Sequence, residues 1–122
     1  MSEEPRDVAV TADVRRHGEG SGVAFRITLD GIEVPALAVR WHGAWHAYVN
    51  RCRHQLLPLD FGDAHFFDEE FDALVCCHHG ARYRPDSGEC VEGPCVGSRL
   101  TPLALEQRGH ALWCVGRRAQ GI

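Results

Sequence analysis

From Gly22 onward, apolar residues fall at every second position on either side of Asp30-Gly31, in FRITLDGIEVPALAVRW. A period of two is that of a strand with one face buried. Asp-Gly between two such runs predicts a two-residue hairpin turn, because both turn positions require positive φ. Residues 36–41 and 44–50 flank His42-Gly43 and predict a second hairpin. Residues 103–106 and 111–115 flank QRGH and predict a third. Residues 7–14, DVAVTADV, alternate weakly and are expected to add an edge strand. The following HGEGSG, residues 17–22, reads as a flexible link or turn. No segment shows an amphipathic period over a helix length. The expected fold class is all-β, a small antiparallel β-sandwich or barrel.

Residues 51–101 break this pattern. They hold Pro58, Pro85 and Pro94, several glycine-containing turns and the acidic-aromatic stretch DFGDAHFFDEEFDAL. This part is expected to form a loop-rich subdomain inserted between strands of the β scaffold. The chain then divides into a polar N-terminal segment, 1–20, and a β domain, 21–122. No internal repeat or low-complexity tract is present.

Composition narrows the function classes. A chain of 122 residues, 44% hydrophobic, suits one domain with a modest core. A net charge of −4 lacks the clustered basic excess of a nucleic-acid binder. All 13 basic residues are arginine, which reads as a genomic composition bias. No apolar run is long enough to span a bilayer, and the N-terminus, MSEEPRDV, is too acidic for a secretory signal. A soluble, cytoplasmic protein is expected. Six cysteines are many for that compartment, where they point to metal or redox work more than to disulfides.

Two short clusters carry that chemistry. NRCRHQ supplies Cys52-x-His54, and CCHHG supplies Cys76-x-x-His79-Gly80, with residues 55–75 between them. Each cluster offers one thiol and one imidazole. Zinc would accept this donor set, but the usual finger places two cysteines first and two histidines after. Mixed pairs on two loops suit a two-iron centre, with both cysteines on one iron and both histidines on the other. Cys77 and His78 are alternative donors. They are adjacent, and neighbouring side chains in an extended segment point in opposite directions, so both cannot easily face one iron. Their plainer readings are a small buried thiol and a loop histidine.

The pair C-x-H and C-x-x-H-G, in this order, resembles the signature of the Rieske iron–sulfur family. GARYRPDSGECVEGP resembles that family's second loop, with its turn Pro85-Asp86-Ser87-Gly88 and a Gly-Pro segment that covers the cluster. The resemblance spans about residues 22–116. It implies the Rieske fold and one 2Fe-2S cluster held by Cys52, His54, Cys76 and His79. Replacing two thiolates by neutral imidazoles makes reduction easier, so Rieske potentials lie at about −150 to +300 mV, against about −400 mV for plant-type ferredoxins. The resemblance further implies that the electron resides on the histidine-held iron and leaves by those histidines, whose free ring nitrogens can couple proton to electron transfer. Tuning is expected from Gly80, Ala81, Tyr83 and Pro94. Respiratory members carry a serine where Ala81 stands and keep the tyrosine at Tyr83. They also tie the two loops by a disulfide whose positions here are Leu57 and His78. Both departures imply a ferredoxin-like protein of low to intermediate potential.

The function expected from this resemblance is a soluble one-electron carrier. It would take electrons from a reductase and pass them to an oxygenase or similar terminal enzyme. It would have no small-molecule substrate of its own, no membrane and no nucleic acid, and would be no enzyme by itself. The second, mononuclear-iron domain of Rieske oxygenases has no room in this chain. The alternatives are a small Rieske subunit like that of assimilatory nitrite reductase, a zinc-binding interaction module, and an accessory relay subunit.

Other residues have plainer expectations. Cys90 and Cys95, in ECVEGPC, could be bridged, but the cytosol favours free thiols. Cys114 reads as core. Asp60, Asp63, Asp68, Glu69, Glu70 and Asp72 read first as a solvated loop and second as a docking patch for a basic redox partner. Phe61, Phe66, Phe67 and Phe71 are expected to pin that loop. Trp41, Trp45 and Tyr48 are expected to pack the sheet. Arg53 reads as a loop residue or an aid to docking. His17, His42, His46, His65 and His110 carry no ligand pattern.

Overall fold

The computed structural model describes residues 7–51, 59, 64–68, 72–76 and 80–117. Nine strands are present among them. They are β1 (Val8–Thr11), β2 (Gly22–Leu29), β3 (Ile32–Trp41), β4 (Ala44–Val49), β5 (Leu74–Val75), β6 (Arg82–Tyr83), β7 (Cys90–Glu92), β8 (Pro102–Arg108) and β9 (Ala111–Arg117). Six form an antiparallel sheet in the order β1-β9-β8-β4-β3-β2, and three form a small sheet in the order β5-β6-β7. β1 and β2, at opposite edges of the large sheet, approach each other and roll it toward a barrel. Among the described residues, no helix is long and apolar enough to cross a membrane.

The first two hairpins follow from their turn residues. Asp30 and Gly31 have φ of 52° and 79°, and His42 and Gly43 have 51° and 79°. Two successive positive φ values match the twist of the strands they join. The third hairpin is tighter than the expected QRGH loop. Gln107 pairs with Leu112 and Arg108 with Ala111, leaving Gly109-His110 as the turn. Gly109, at φ 63°, supplies the left-handed step.

The segment at 17–22, expected as a flexible link or turn, forms a turn, with Ser21 N–H donating to the Gly18 carbonyl at 3.1 Å, and it is tied down. Gly20 N–H donates to the Arg40 carbonyl at 2.8 Å, and Arg40 N–H returns a bond to Ser21 at 3.0 Å. The Arg40 guanidinium donates to the His17 carbonyl at 2.8 Å. The Glu19 carboxylate accepts the backbone N–H groups of His42 and Gly43. Those two bonds hold its carboxyl below the ordinary carboxylate range. Glycines and charge here serve a fitted contact with the β3–β4 turn rather than freedom.

Pro35 sits inside β3, between two neighbours, where proline is usually excluded. Its carbonyl accepts Asn50 N–H at 2.9 Å, so its nitrogen faces the β4 side. The β3–β4 ladder begins only at Ala36–Val49. The missing donor therefore falls where pairing ends.

β3 is buried on both faces. Val34, Ala36 and Ala38 point into the barrel with Val10, Ile27, Leu29, Ala47, Leu103, Leu112 and Cys114. Leu37 and Val39 point the other way, into a second core with Tyr48, Leu59, Phe66, Phe67, Leu74, Tyr83 and Leu100. The run PALAV reflects this. Small alanines line the crowded barrel, and larger residues meet the small sheet. Each large side chain so buried contributes about 1.5–3 kcal/mol. The second core fastens the small sheet to the outer face of the barrel.

Candidate metal centre

The small sheet presents the second motif. Val75 N–H donates to the Phe66 carbonyl at 2.8 Å, and Asp68 N–H to the Ala73 carbonyl at 3.0 Å. Phe67 bridges Leu74 across the same pairing. The chain leaves β5 at Cys76, whose N–H donates to the Ala81 carbonyl at 2.9 Å; Gly80 N–H returns to the Cys76 carbonyl at 2.8 Å. Gly80 closes this turn with φ 72°. Cys76 is thus tied by two backbone bonds to Gly80 and Ala81, with its side chain fully buried.

Of the four expected ligands, the structure describes Cys76. Cys52, His54 and His79 lie outside the described residues, as do Arg53, Leu57, Cys77 and His78. Ala81 and Tyr83 are fully buried in the same core as Cys76, whereas Gly80 and Pro94 are exposed. In the Gly-Pro segment, Gly93 lies against Ala81. A Cβ on Gly93 would stand 2.9 Å from Ala81 Cα, and Gly93 has φ 100°. Only glycine permits that approach and that backbone at once. The Tyr83 hydroxyl lies 3.2 Å from Cys95 Sγ.

Three anchoring residues escaped the sequence reading. Tyr48, expected only to pack the sheet, joins β4 to the turn after β6 from within the second core. Its hydroxyl donates to the Pro85 carbonyl at 2.8 Å, and its ring lies where a Cβ on Gly88 would come within 2.7 Å. Asn50 is buried, and its Oδ1 accepts Leu59 N–H at 2.8 Å, tying together the two ends of the first motif's loop. Arg82 pairs with Asp68 and, at 3.0 Å, with Glu92, joining three segments of the small sheet. Its place opposite buried Tyr83 in the alternation of ARYR was the available signal.

Asp68 therefore does structural work within the acidic stretch. Burial alone would raise its carboxyl. Hydrogen bonds from Asp72 N–H, Arg82 and Ala73 N–H outweigh burial and hold it below the ordinary range. Asp72 is exposed, and Asp60, Asp63, Glu69 and Glu70 lie outside the described residues. Of the four phenylalanines expected to pin the loop, Phe66 and Phe67 are buried in the second core, and Phe61 and Phe71 lie outside the described residues. Trp41 stacks on His42, with ring centroids 3.7 Å apart, and His17 meets Trp45 edge-on. Among the described residues, no group of three His, Cys, Asp or Glu side chains is placed to hold a metal ion.

The residues present fit an iron–sulfur cluster. The Cys76 thiol is fully buried, and Ala81, in the same core, is closely covered by Gly93. The defining positions of the two motifs, Cys52, His54, Cys76 and His79, supply two thiols and two imidazoles, the donor set of a Rieske centre. The model of the Rieske 2Fe-2S domain matches residues 5–107. The chain belongs to the Rieske 2Fe-2S domain family, and the cofactor of that family is one 2Fe-2S cluster.

Solved structures agree in fold. One is the ferredoxin of carbazole 1,9a-dioxygenase from Nocardioides aromaticivorans IC177, at TM-score 0.70 and 24% identity, covering 94% of this chain and 100% of that one. Another is a chain of a complex of reduced oxygenase and oxidized ferredoxin in carbazole 1,9a-dioxygenase. It matches at TM-score 0.72 and 19% identity, covering 94% of this chain and 97% of that one. The terminal oxygenase of carbazole 1,9a-dioxygenase from Novosphingobium sp. KA1 matches at TM-score 0.71 and 20% identity. There the match covers 96% of this chain but 31% of the oxygenase. No curated protein matches the sequence.

Proposed function

We propose that this protein is a one-electron carrier. In this reading it holds a Rieske 2Fe-2S cluster on Cys52, His54, Cys76 and His79, takes an electron from a reductase and passes it to an oxygenase or similar terminal enzyme. The observation that carries it is Cys76, fully buried in one core with Ala81 and Tyr83, in a chain of the Rieske family. The end-to-end match to a dioxygenase ferredoxin supports the carrier role. When bound, the cluster supplies a one-electron couple. The chain's own part is to fix the thiol, exclude water from its inner side, and place Tyr83 and Ala81 behind it. A reducing compartment, the cytoplasm, suits Cys90, Cys95 and Cys114, none of which is in a disulfide.

The test is spectroscopic. The purified protein is expected to be red-brown, with two irons and two sulfides, and to bleach on reduction. Cys76→Ser and His79→Ala are expected to abolish the visible band, while Cys77→Ser and His78→Ala keep it. A colourless protein with one zinc and no sulfide would refute the reading. Loss of the band in Cys77→Ser with retention in Cys76→Ser would overturn the ligand assignment.

A further inference from the structure

Cys90 and Cys95 stand on either side of the turn that carries Gly93 and Pro94. The turn folds back on itself. Cys90 N–H donates to the Ser98 carbonyl at 2.9 Å, and Ser98 gives two bonds to the Cys95 carbonyl, from its N–H at 3.0 Å and its hydroxyl at 2.6 Å. Gly93 and Gly97, at φ 100° and 97°, permit the reversal. The two Sγ atoms lie 3.1 Å apart, and neither is in a disulfide. A bond at about 2.05 Å needs an approach of about 1 Å. The tip of the turn is open to solvent: Val91 is 48% and Val96 64% exposed.

We propose that Cys90 and Cys95 form a redox-active dithiol that closes reversibly to a disulfide beside the cluster site. The oxidant is a low-molecular-weight disulfide. Cys95 attacks one of its sulfurs as the thiolate, and one small thiol leaves. Cys90 then attacks Cys95 Sγ and displaces the second small thiol. Two protein thiols are oxidised, one small disulfide is reduced to two thiols, and the two protein S–H protons pass to those leaving thiols.

The structure orders the steps. Cys95 is half-buried and Cys90 is 1% exposed, so the outside reagent meets Cys95 first. Burial, with Cys95 beside it, pushes the Cys90 thiol up to about 11. A group so protonated is a poor first nucleophile, and it resolves by contact rather than by encounter.

The pair also reaches Tyr83, which lies in the core that buries Cys76. Cys95 Sγ shares a hydrogen bond with the Tyr83 hydroxyl. As a thiol, Cys95 can give its proton to Tyr83; in a disulfide it can only accept. Closing the bond therefore changes where the Tyr83 O–H can point, and with it the tuning of the cluster. This second part rests on the carrier reading of the preceding subsection.

The experiment equilibrates the whole protein in glutathione redox buffers, then denatures, alkylates with iodoacetamide and digests with trypsin. Peptide 83–99 contains Cys90 and Cys95 and no other cysteine. It is expected to lose two hydrogens and to escape alkylation as the buffer becomes oxidising, reversibly with dithiothreitol, while Cys114 stays alkylated. In Cys90→Ser, a glutathione adduct should accumulate on Cys95. A peptide with two alkylated thiols across the whole range would overturn the dithiol. An adduct that accumulates in Cys95→Ser instead would overturn the order of attack. The midpoint potential of the loaded protein is expected to differ between the two thiol states. A disulfide without such a shift would overturn the coupling to Tyr83 and leave the dithiol standing.

Discussion

Gly93→Ala tests whether the turn after β7 is fitted to the motif turn beneath it. The substitution carries two costs. The first is backbone strain, because φ 100° is a conformation that L side chains rarely adopt. Such a residue costs about 1–3 kcal/mol. The second is contact. The new Cβ would meet Ala81 Cα at 2.9 Å and Ala81 Cβ and N at 3.4 Å, where carbons prefer about 3.5–4.0 Å. Ala81 Cα is backbone and cannot swing aside, so overpacking adds about 1–3 kcal/mol. The total, about 2–6 kcal/mol, is a large share of the roughly 5–15 kcal/mol that holds a domain together.

Gly97→Ala separates the two terms. Gly97 has nearly the same φ, 97°, but nothing lies within 4 Å of its Cβ position. It should lose the strain term alone. Thermal unfolding followed by tryptophan fluorescence reads the difference, at about 3–6 °C per kcal/mol for a chain of this size. The Gly93 variant should melt below the Gly97 variant, and its visible band should fade before the fluorescence transition, because the displaced residue is Ala81. Equal melting temperatures for the two variants would refute the packing of this segment on Ala81.

Two other perturbations probe how the small sheet is held. Tyr48→Phe removes the donor to the buried Pro85 carbonyl; urea denaturation should show a loss of about 1–3 kcal/mol. Asp68→Asn should destabilise at neutral pH. Because the folded carboxyl titrates below its ordinary value, its contribution is present above about pH 4 and is lost as pH falls through the folded pKa. The gap between wild type and variant in a pH series of unfolding midpoints should therefore narrow on acidification, and a gap constant with pH would contradict the role given to Arg82 and the backbone donors.

Turn chemistry and motif spacing are local, and both were legible along the chain. Asp30-Gly31 and His42-Gly43 announced their hairpins because positive φ at two successive residues is a demand few residues meet. The order C-x-H, C-x-x-H-G was enough to point to the Rieske family by its resemblance to that family's signature. Alternation also separated the strands from the loop-rich middle. Composition left 17–22 open between link and turn, because glycine content marks permissiveness and cannot show that Glu19 and Arg40 fasten it. What only the tertiary structure decided are contacts between residues far apart in sequence. β3 is buried on both faces, Tyr48 reaches Pro85, and Gly93 rests on Ala81. A period of two reports that a residue faces something, but not which of two cores it faces. The same limit kept Cys90 and Cys95 open in the sequence: two thiols five positions apart become neighbours only once the turn between them is folded.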